Sequence, residues 1–304
     1  MDQLIEDYLR DCQSRGMAVG SMPRYRSVLR IYQRYLVQSM ADILAVDNAV
    51  LIGFLDHLRA RKARDKTLKN YFSALSSFYE YLAFEKKISA NPVIPIRKRY
   101  LKGYKDNHDG QERKLISVEE MARMINSEMD IRDKAIITLL AKTGIRRNEL
   151  ISLDVSDVDF VEQKIRLKPT AKRTNRTVFF DDETAFILRR WLRMREGVNR
   201  RKETALFLST WGFRISRNDV YLLVVTAAER VGLHDPGSER MEDHFSPHCA
   251  RHWNTTHLLR AGMKREYVQW LRGDAIKEAV DIYFHVDPKD VQEAYLAAIP
   301  QLGI

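Results

Sequence analysis

Two helical patterns of the chain meet at Thr143-Gly144-Ile145-Arg146-Arg147-Asn148-Glu149-Leu150. The largely apolar stretch 133–142 predicts a buried helix, which Gly144 is placed to end. A new helix starts at once, so Arg146 stands at the turn between them. The planar guanidinium of an arginine suits a phosphate, because it can donate two parallel hydrogen bonds. By itself, the segment is weak evidence, because an ordinary surface arginine at a helix start is the default interpretation.

A second segment combines a histidine with an arginine. It reads Ser246-Pro247-His248-Cys249-Ala250-Arg251-His252, and Pro247 fits the first turn of a helix that Ser246 would cap. His248 and Arg251 then share one helix face, which places a titratable imidazole beside a permanent cation. Histidines on a helix face without a chemical role are the alternative.

The same region offers possible zinc ligands, which are His244, His248, Cys249, His252 and His257. The glutamate of an H-E-x-x-H motif is missing, and so is a second cysteine at Cys-x-x-Cys spacing. We therefore expect no bound metal. A metal-dependent nuclease would need a carboxylate or histidine cluster that the sequence does not offer.

A tyrosine between apolar residues defines the third segment, Asp281-Ile282-Tyr283-Phe284-His285. Considered alone, such a tyrosine usually belongs to a hydrophobic core. The three segments acquire a more specific meaning when they are considered together.

In order and wording, the three segments resemble the boxes of the tyrosine recombinase (phage integrase) family, in its two-domain Xer-like form. The first family box is T-G-x-R-x-x-E-L, and residues 143–150 match it at every fixed position. Residues 248–252 match the second box, H-x-x-R-H, and residues 283–285 match the Y-x-H of the third. The resemblance extends over almost the whole chain, from about Met1 to Tyr295.

The resemblance implies a role for each residue. Tyr283 would attack a DNA phosphodiester, forming a 3′-phosphotyrosine and freeing a 5′-hydroxyl. Arg146 and Arg251 would hold the non-bridging oxygens as charge builds on the phosphate, and loss of one such donor costs on the order of 10²–10³ in rate. His248 would assist proton transfer, since a phenol with an ordinary pKa of about 10 is a weak nucleophile.

In this family a lysine in the turn of a β-hairpin protonates the leaving oxygen. The sequence predicts short strands over 164–168 and 176–180. Lys172, in the turn between them, is our choice, and Lys168 is the alternative. The resemblance implies neither a metal nor a nucleotide cofactor, because the bond energy is kept in the covalent protein–DNA intermediate.

One position departs from the family pattern. A histidine or tryptophan usually stands nine residues before the tyrosine, and here Leu271-Arg272-Gly273-Asp274 places Asp274 there. An ionised carboxylate cannot donate a hydrogen bond and is unfavourable beside a phosphate unless it is paired. Asp274 could instead orient Arg251, His248 or the tyrosine hydroxyl in a working variant. A slowed enzyme and a shifted loop alignment are the alternatives.

The first hundred residues contain four helical patterns and no strand pattern, with Asp47 and Thr67 as candidate N-caps. We therefore predict a mainly α fold. A four-helix core-binding (SAM-like) domain would span 1–96, a basic interdomain linker 97–114, and a mixed α/β catalytic domain with a small antiparallel sheet 115–304. In the resembled family, the segment after Asp287 often docks on a neighbouring protomer of a DNA-bound tetramer.

The chain has 304 residues, a net charge of +10 and a pI of about 9.5, a balance typical of proteins that bind nucleic acid. Basic residues cluster in the N-terminal half, where a phosphate-facing surface competes with ordinary solvated helix faces. The predicted DNA-binding residues are Arg26, Arg30, Arg34, Arg59, Arg61, Lys62, Lys66, Lys69, Arg97, Lys98 and Arg99. No apolar run reaches the roughly 18 residues that a membrane span needs.

The sequence thus predicts a site-specific DNA recombinase that acts in integration, excision or resolution. Its partner would be double-stranded DNA with specific sites, bound by a homotetramer on paired sites and by a monomer or weak oligomer otherwise. We expect a cytoplasmic location, at a prokaryotic, archaeal or viral host nucleoid. A catalytically weakened DNA-binding regulator and a type IB topoisomerase-like enzyme are the alternatives.

Overall fold

The computed structural model describes residues 2–101, 115–169, 177–273 and 286–304. The chain divides into two compact units, 1–109 and 110–304. Each unit has a hydrophobic core of its own. Over the described residues, no helix combines the length and the apolar character needed to cross a bilayer.

The first unit is a helical bundle. Its helices are α1 (Asp2–Ser14), α2 (Met22–Gln38), α3 (Asn48–Ala60), α4 (Asp65–Phe84) and α5 (Val93–Tyr100). The first four correspond to the four predicted patterns. Asp47 caps α3 as predicted, since its side chain accepts a hydrogen bond from the Val50 N–H. Thr67 is not the cap of α4, because that helix already begins at Asp65.

Helix α5 includes basic residues that the sequence prediction placed at the start of the linker. Val93 and Ile96 lie three positions apart and are both buried in the core of the first unit. The Asn91 side chain supports the helix start, because it accepts from the Val93 N–H and donates to the Ser76 carbonyl. Residues 97–99 therefore belong to the last helix of the first unit, with their side chains exposed.

Buried tyrosines join the helices of this bundle through their hydroxyl groups. Tyr8 donates to the Ser77 hydroxyl over 2.8 Å, and the hydroxyls of Tyr32 and Tyr79 lie 3.0 Å apart. Tyr79 also donates to the carbonyl of Ile43 over 3.1 Å. Because an unsatisfied buried hydroxyl costs about 1–3 kcal/mol, these bonds specify how α1, α2 and α4 pack.

The second unit is mainly helical with one small sheet. Its helices are α6 (Val118–Asn126), α7 (Ile131–Thr143), α8 (Arg147–Ser152), α9 (Asp182–Val198), α10 (Arg217–Arg230), α11 (Pro247–Arg260), α12 (Arg265–Arg272) and α13 (Pro288–Ala298). Its strands are β1 (Val158–Asp159), β2 (Lys164–Arg166) and β3 (Thr177–Phe179). They form an antiparallel sheet in the order β1–β2–β3.

Helix α7 lies at the centre of the second unit, with α9 and α11 packed against it. Most of its residues are buried, as the apolar stretch predicted. Gly144 ends the helix in the left-handed conformation, with φ +61°, which an L side chain adopts only at a cost. The chain can therefore turn directly from α7 into α8.

A smaller apolar cluster holds the last helices together. Leu258 of α11, Leu271 of α12 and Tyr295 of α13 are buried in it, together with Phe179 of β3. Helix α13 therefore packs on its own unit in the isolated chain.

Candidate active site

A buried carboxylate holds Arg146 at the turn between α7 and α8. The backbone N–H of Arg146 donates to Glu149 Oε2 over 2.7 Å, and its Nη1 donates to Oε1 over 3.0 Å. Glu149 is 3% exposed, whereas the Arg146 side chain is 35% exposed. The carboxylate thus fixes an arginine that can still meet a ligand from solvent.

The guanidinium of Arg251 is buried and connects two chain segments. Its Nη1 donates to the Gly144 carbonyl over 2.7 Å, and its Nη2 donates to the Arg272 carbonyl over 2.9 Å. Arg251 is 5% exposed. One bond reaches the turn that carries Arg146, and the other reaches the end of α12.

One of these bonds joins the second sequence box to the first, and the other joins the second box to the end of α12. Arg251 lies in the second box, and Gly144 lies in the first, two positions before Arg146. Arg272 is two positions before Asp274 in the sequence, on the way to the third box. Arg251 on α11 is therefore bonded directly to the turn that carries Arg146.

His248 lies one helical turn before Arg251 on α11, and its side chain is exposed. The centroid of its ring lies 6.4 Å from that of His252, with the rings nearly perpendicular. Ser246 occupies the N-cap position of α11, as predicted, but its side chain forms no capping hydrogen bond.

Of the two candidate hairpin lysines, Lys168 lies within the described residues. Its ammonium group forms an ion pair with Asp154, which also accepts from Arg214 Nη2 over 2.5 Å and from the Thr204 hydroxyl over 3.0 Å. The hydrogen bond from Lys168, followed by that from Arg214, holds the pKa of Asp154 well below its ordinary value. Lys168 thus neutralises a structural carboxylate beside the sheet.

The predicted residues Lys172, Asp274 and Tyr283 lie outside the described residues. Among the residues that the structure does describe, no three or more His, Cys, Asp or Glu side chains form a group that could hold a metal ion. Of the candidate zinc ligands, His244 Nε2 lies 2.8 Å from the Ser238 carbonyl and His257 Nε2 lies 3.2 Å from the Ile116 carbonyl.

Most of the predicted DNA-binding residues are exposed on the first unit. Arg26 is the exception, since it forms a two-point ion pair with Glu6, at 3.1 and 2.6 Å. Arg59 is exposed and lies 3.4 Å from Asp56. The exposed members are Arg30, Arg34, Arg59, Arg61, Lys62, Lys66, Lys69, Arg97, Lys98 and Arg99.

Glu149, which holds Arg146, and the buried Lys142 had no role predicted from the sequence. Glu149 stands three positions after Arg146, a spacing at which side chains on one helix meet, and this spacing was the available signal. The apolar pattern of 133–142 places Lys142 in a buried helix and does not indicate the partner of its charge. A lysine inside an apolar helix pattern indicates a buried ion pair, because a buried ammonium group needs partners.

Comparison with known proteins identifies the family. The Phage integrase family matches residues 114–290, and the phage integrase N-terminal SAM-like domain matches residues 5–86. The chain is 30% identical over 301 residues to tyrosine recombinase XerC of Herpetosiphon aurantiacus, covering 94% of this chain and 91% of the relative. It is 27% identical over 296 residues to XerC of Vibrio cholerae, covering 94% and 89%. The chain belongs to the phage integrase family of tyrosine recombinases.

Solved structures share the fold. The Tn1549 transposon integrase in complex with transposon right end DNA superposes with a TM-score of 0.70 at 18% identity, covering 96% of this chain and 97% of the other. A lambda integrase dimer bound to a COC′ core site gives a TM-score of 0.70 at 16% identity, covering 91% and 98%. The predicted mainly α fold, with its SAM-like first unit and small antiparallel sheet, is confirmed.

Proposed function

We propose that this recombinase breaks and rejoins DNA at specific sites through a covalent link to Tyr283. The observation that carries the proposal is the position of Arg251, whose buried guanidinium joins the turn bearing Arg146 to the segment that leads toward Tyr283. An arginine fixed by backbone carbonyls is oriented before substrate arrives, so it needs little reorganisation during the reaction.

The proposed chemistry is a pair of exchanges at one phosphorus atom. The Tyr283 oxygen attacks the phosphate as its proton is removed with the help of His248, and the bond to the 5′-oxygen breaks. Lys172 gives that oxygen a proton, which frees a 5′-hydroxyl. A 5′-hydroxyl from another strand then attacks the phosphotyrosine and releases Tyr283. One phosphodiester is lost and one is formed, so no external energy source is required.

The environment of Lys168 supports Lys172 as the proton donor. The Lys168 ammonium is engaged by Asp154, which is stabilised as an anion by three donors. Proton transfer from Lys168 would leave that carboxylate with one cation fewer. Lys172 is therefore the better candidate, and Lys172→Ala should slow cleavage more than Lys168→Ala.

The role that we propose for Asp274 is to orient Arg251, His248 or the tyrosine hydroxyl. Arg272 accepts a hydrogen bond from Arg251 and stands two positions before Asp274 in the sequence. A carboxylate near a guanidinium keeps that group in place through charge-assisted hydrogen bonds. On this proposal Asp274→Asn retains part of the cleavage rate and Asp274→Ala retains less.

Affinity for DNA would come from the basic residues of the first unit. They carry exposed positive charge on α2, around the start of α4 and on α5. Contacts to phosphates provide affinity that depends on salt and carries little sequence information. We propose 1–96 as the core-binding domain, 97–114 as the linker and 115–304 as the catalytic domain.

We further propose a tetramer on paired sites and action at a nucleoid in the cytoplasm. The lambda integrase structure, a dimer on its core site, supports assembly on DNA. Both cysteines, Cys12 and Cys249, are free and buried, which suits a reducing compartment. Leu296→Glu, at an exposed position of α13, should lose cooperative binding to paired sites in a gel-shift titration, whereas the buried Tyr295 still holds the helix on its own unit. Unchanged cooperativity would contradict a role of α13 in assembly.

Covalent capture tests the function and identifies the target site in one experiment. The chain is incubated in EDTA with nicked duplexes of random sequence, and adducts that survive SDS are recovered and sequenced. We expect one sequence to be enriched, and a plasmid carrying two copies of it should recombine. Specific binding with no adduct would favour a non-catalytic regulator. Relaxation of supercoiled plasmid lacking the site, without recombinants on the plasmid that has it, would favour a topoisomerase.

A further inference from the structure

A fully buried lysine lies at the end of α7, just before the turn that carries Arg146. Lys142, in the last turn of α7, is 0% exposed. Its ammonium group donates to Asp181 Oδ2 over 2.5 Å, to Glu183 Oε2 over 2.6 Å and to the Pro300 carbonyl over 2.7 Å. Its three donor hydrogens therefore have three acceptors, which is the condition for keeping a charge away from water.

The two carboxylates that bind Lys142 also accept hydrogen bonds from other groups. Asp181 caps α9 by accepting from the Thr184 N–H and hydroxyl, over 3.1 and 2.7 Å. Glu183 accepts from the backbone N–H groups of Leu302 and Gly303, over 2.9 and 2.6 Å. One cation thus meets two anions, and the backbone of residues 302–303 supplies the balancing positive dipoles.

The backbone of Lys142 is bound to α11, which carries the second box, and to α13. Its carbonyl accepts from Asn254 Nδ2 over 2.6 Å and from the Tyr295 hydroxyl over 3.1 Å. Asn254 is three positions after Arg251 on α11 and lies against Gly144, where an added Cβ would be 2.6 Å from its Oδ1. Hydrogen bonds therefore hold both the side chain and the carbonyl of Lys142.

We propose that Lys142 and Glu183 are positioning residues for the cleavage reaction. They hold the end of α7 so that the Gly144 carbonyl stays in place for Arg251, and the same turn presents Arg146. Residues 300–303 complete this arrangement, because they provide one acceptor to the ammonium and two donors to the carboxylate. The inference rests on the proposed function of the two arginines.

A charge-matched double variant tests the proposal. Lys142→Met with Glu183→Gln keeps the lengths of both side chains and the net charge of the cluster, and leaves Asp181 as the cap of α9. We expect cleavage of the captured DNA site to slow by about 5–150-fold, the usual range of coupling between linked sites. DNA affinity should stay within about twofold, since the basic residues of the first unit are untouched.

Hydrogen exchange supplies a second readout. The amides of Leu302 and Gly303 should exchange faster in the variant, because Glu183 no longer accepts from them as a carboxylate. Leu188→Ala is the matched control, since Leu188 is a buried core residue on the same helix as Glu183. That control should lower the thermal stability and leave cleavage at low temperature unchanged.

The outcomes distinguish a failure of the positioning role from a failure of the proposed function. Faster exchange with an unchanged cleavage rate would overturn it, and so would unchanged exchange. Equal slowing in Leu188→Ala would reduce the cluster to a stability role. If the wild-type chain itself forms no adduct, the proposed function fails instead. Should the double variant not fold, Glu183→Gln alone is measured in the same way, with a smaller slowing expected and no slowing overturning the proposal.

Discussion

Replacement of Arg251 by lysine keeps the positive charge and removes the planar guanidinium that donates two hydrogen bonds. The arginine donates from two nitrogens to the carbonyls of Gly144 and Arg272, 2.7 and 2.9 Å away. An ammonium on a shorter arm cannot reach both carbonyls in these directions while it also meets a phosphate. One buried carbonyl then lacks a partner, which costs about 1–3 kcal/mol of folding free energy.

The effect on catalysis should be larger than the effect on stability. Loss of one oriented donor at a phosphate in the transition state costs on the order of 10²–10³ in rate. Single-turnover formation of the covalent adduct, below the unfolding temperature of the variant, measures this loss. Thermal unfolding and DNA affinity are measured in parallel. Cleavage by Arg251→Lys within about threefold of the wild-type rate would refute the assigned role, because charge alone would then suffice.

Three further variants follow from the structure. Gly144→Ala should lower the free energy of unfolding by about 1–2 kcal/mol, because alanine is strained in the left-handed conformation. It should also slow cleavage, because the added Cβ would lie 2.6 Å from the Asn254 side-chain oxygen on α11. Gly232→Ala is the control, since it has φ +75° but open space around it, and it should leave cleavage unchanged. Removing Arg30 and Arg34 together should reduce the slope of log affinity against log salt by about 2, in binding titrations at several salt concentrations. The ionised Asp154 is stabilised by Lys168 and Arg214, which lowers its pKa, so its contribution to the free energy of unfolding is present above about pH 4 and is lost as acid protonates it. Thermal unfolding of Asp154→Asn should therefore depend less on pH in the acid range than that of the wild type.

Most of the fold was accessible from the sequence because its signals are local. Apolar residues at helical spacing predicted the four helices of the first unit, and Asp47 marked the start of α3. Helix α5 was not predicted as a helix, because its apolar anchor consists of only two buried residues after Asn91-Pro92. Strand β1 has two residues, Val158 and Asp159, and its register depends on pairing with β2 rather than on its own pattern.

The sequence supplied candidate residues for the site but not the contacts that hold them. Arg146 and Arg251 were identified through fixed spacings in the boxes, and the structure links them through the Gly144 carbonyl. The partners of Lys142 could not be predicted, because Asp181 and Pro300 lie 39 and 158 positions away in the sequence. Only the folded chain brings such distant acceptors to one ammonium group.

The most direct test of the account is the chemical identity of the covalent bond. Wild type and Tyr283→Phe are incubated in EDTA with the nicked duplex recovered by capture, and the products are separated in SDS. We predict an adduct with the wild type, with the DNA attached through a 3′-phosphate to Tyr283 in peptide mapping, and none with Tyr283→Phe. An adduct of undiminished amount in Tyr283→Phe, or none with a wild-type chain that binds the site, would contradict the account.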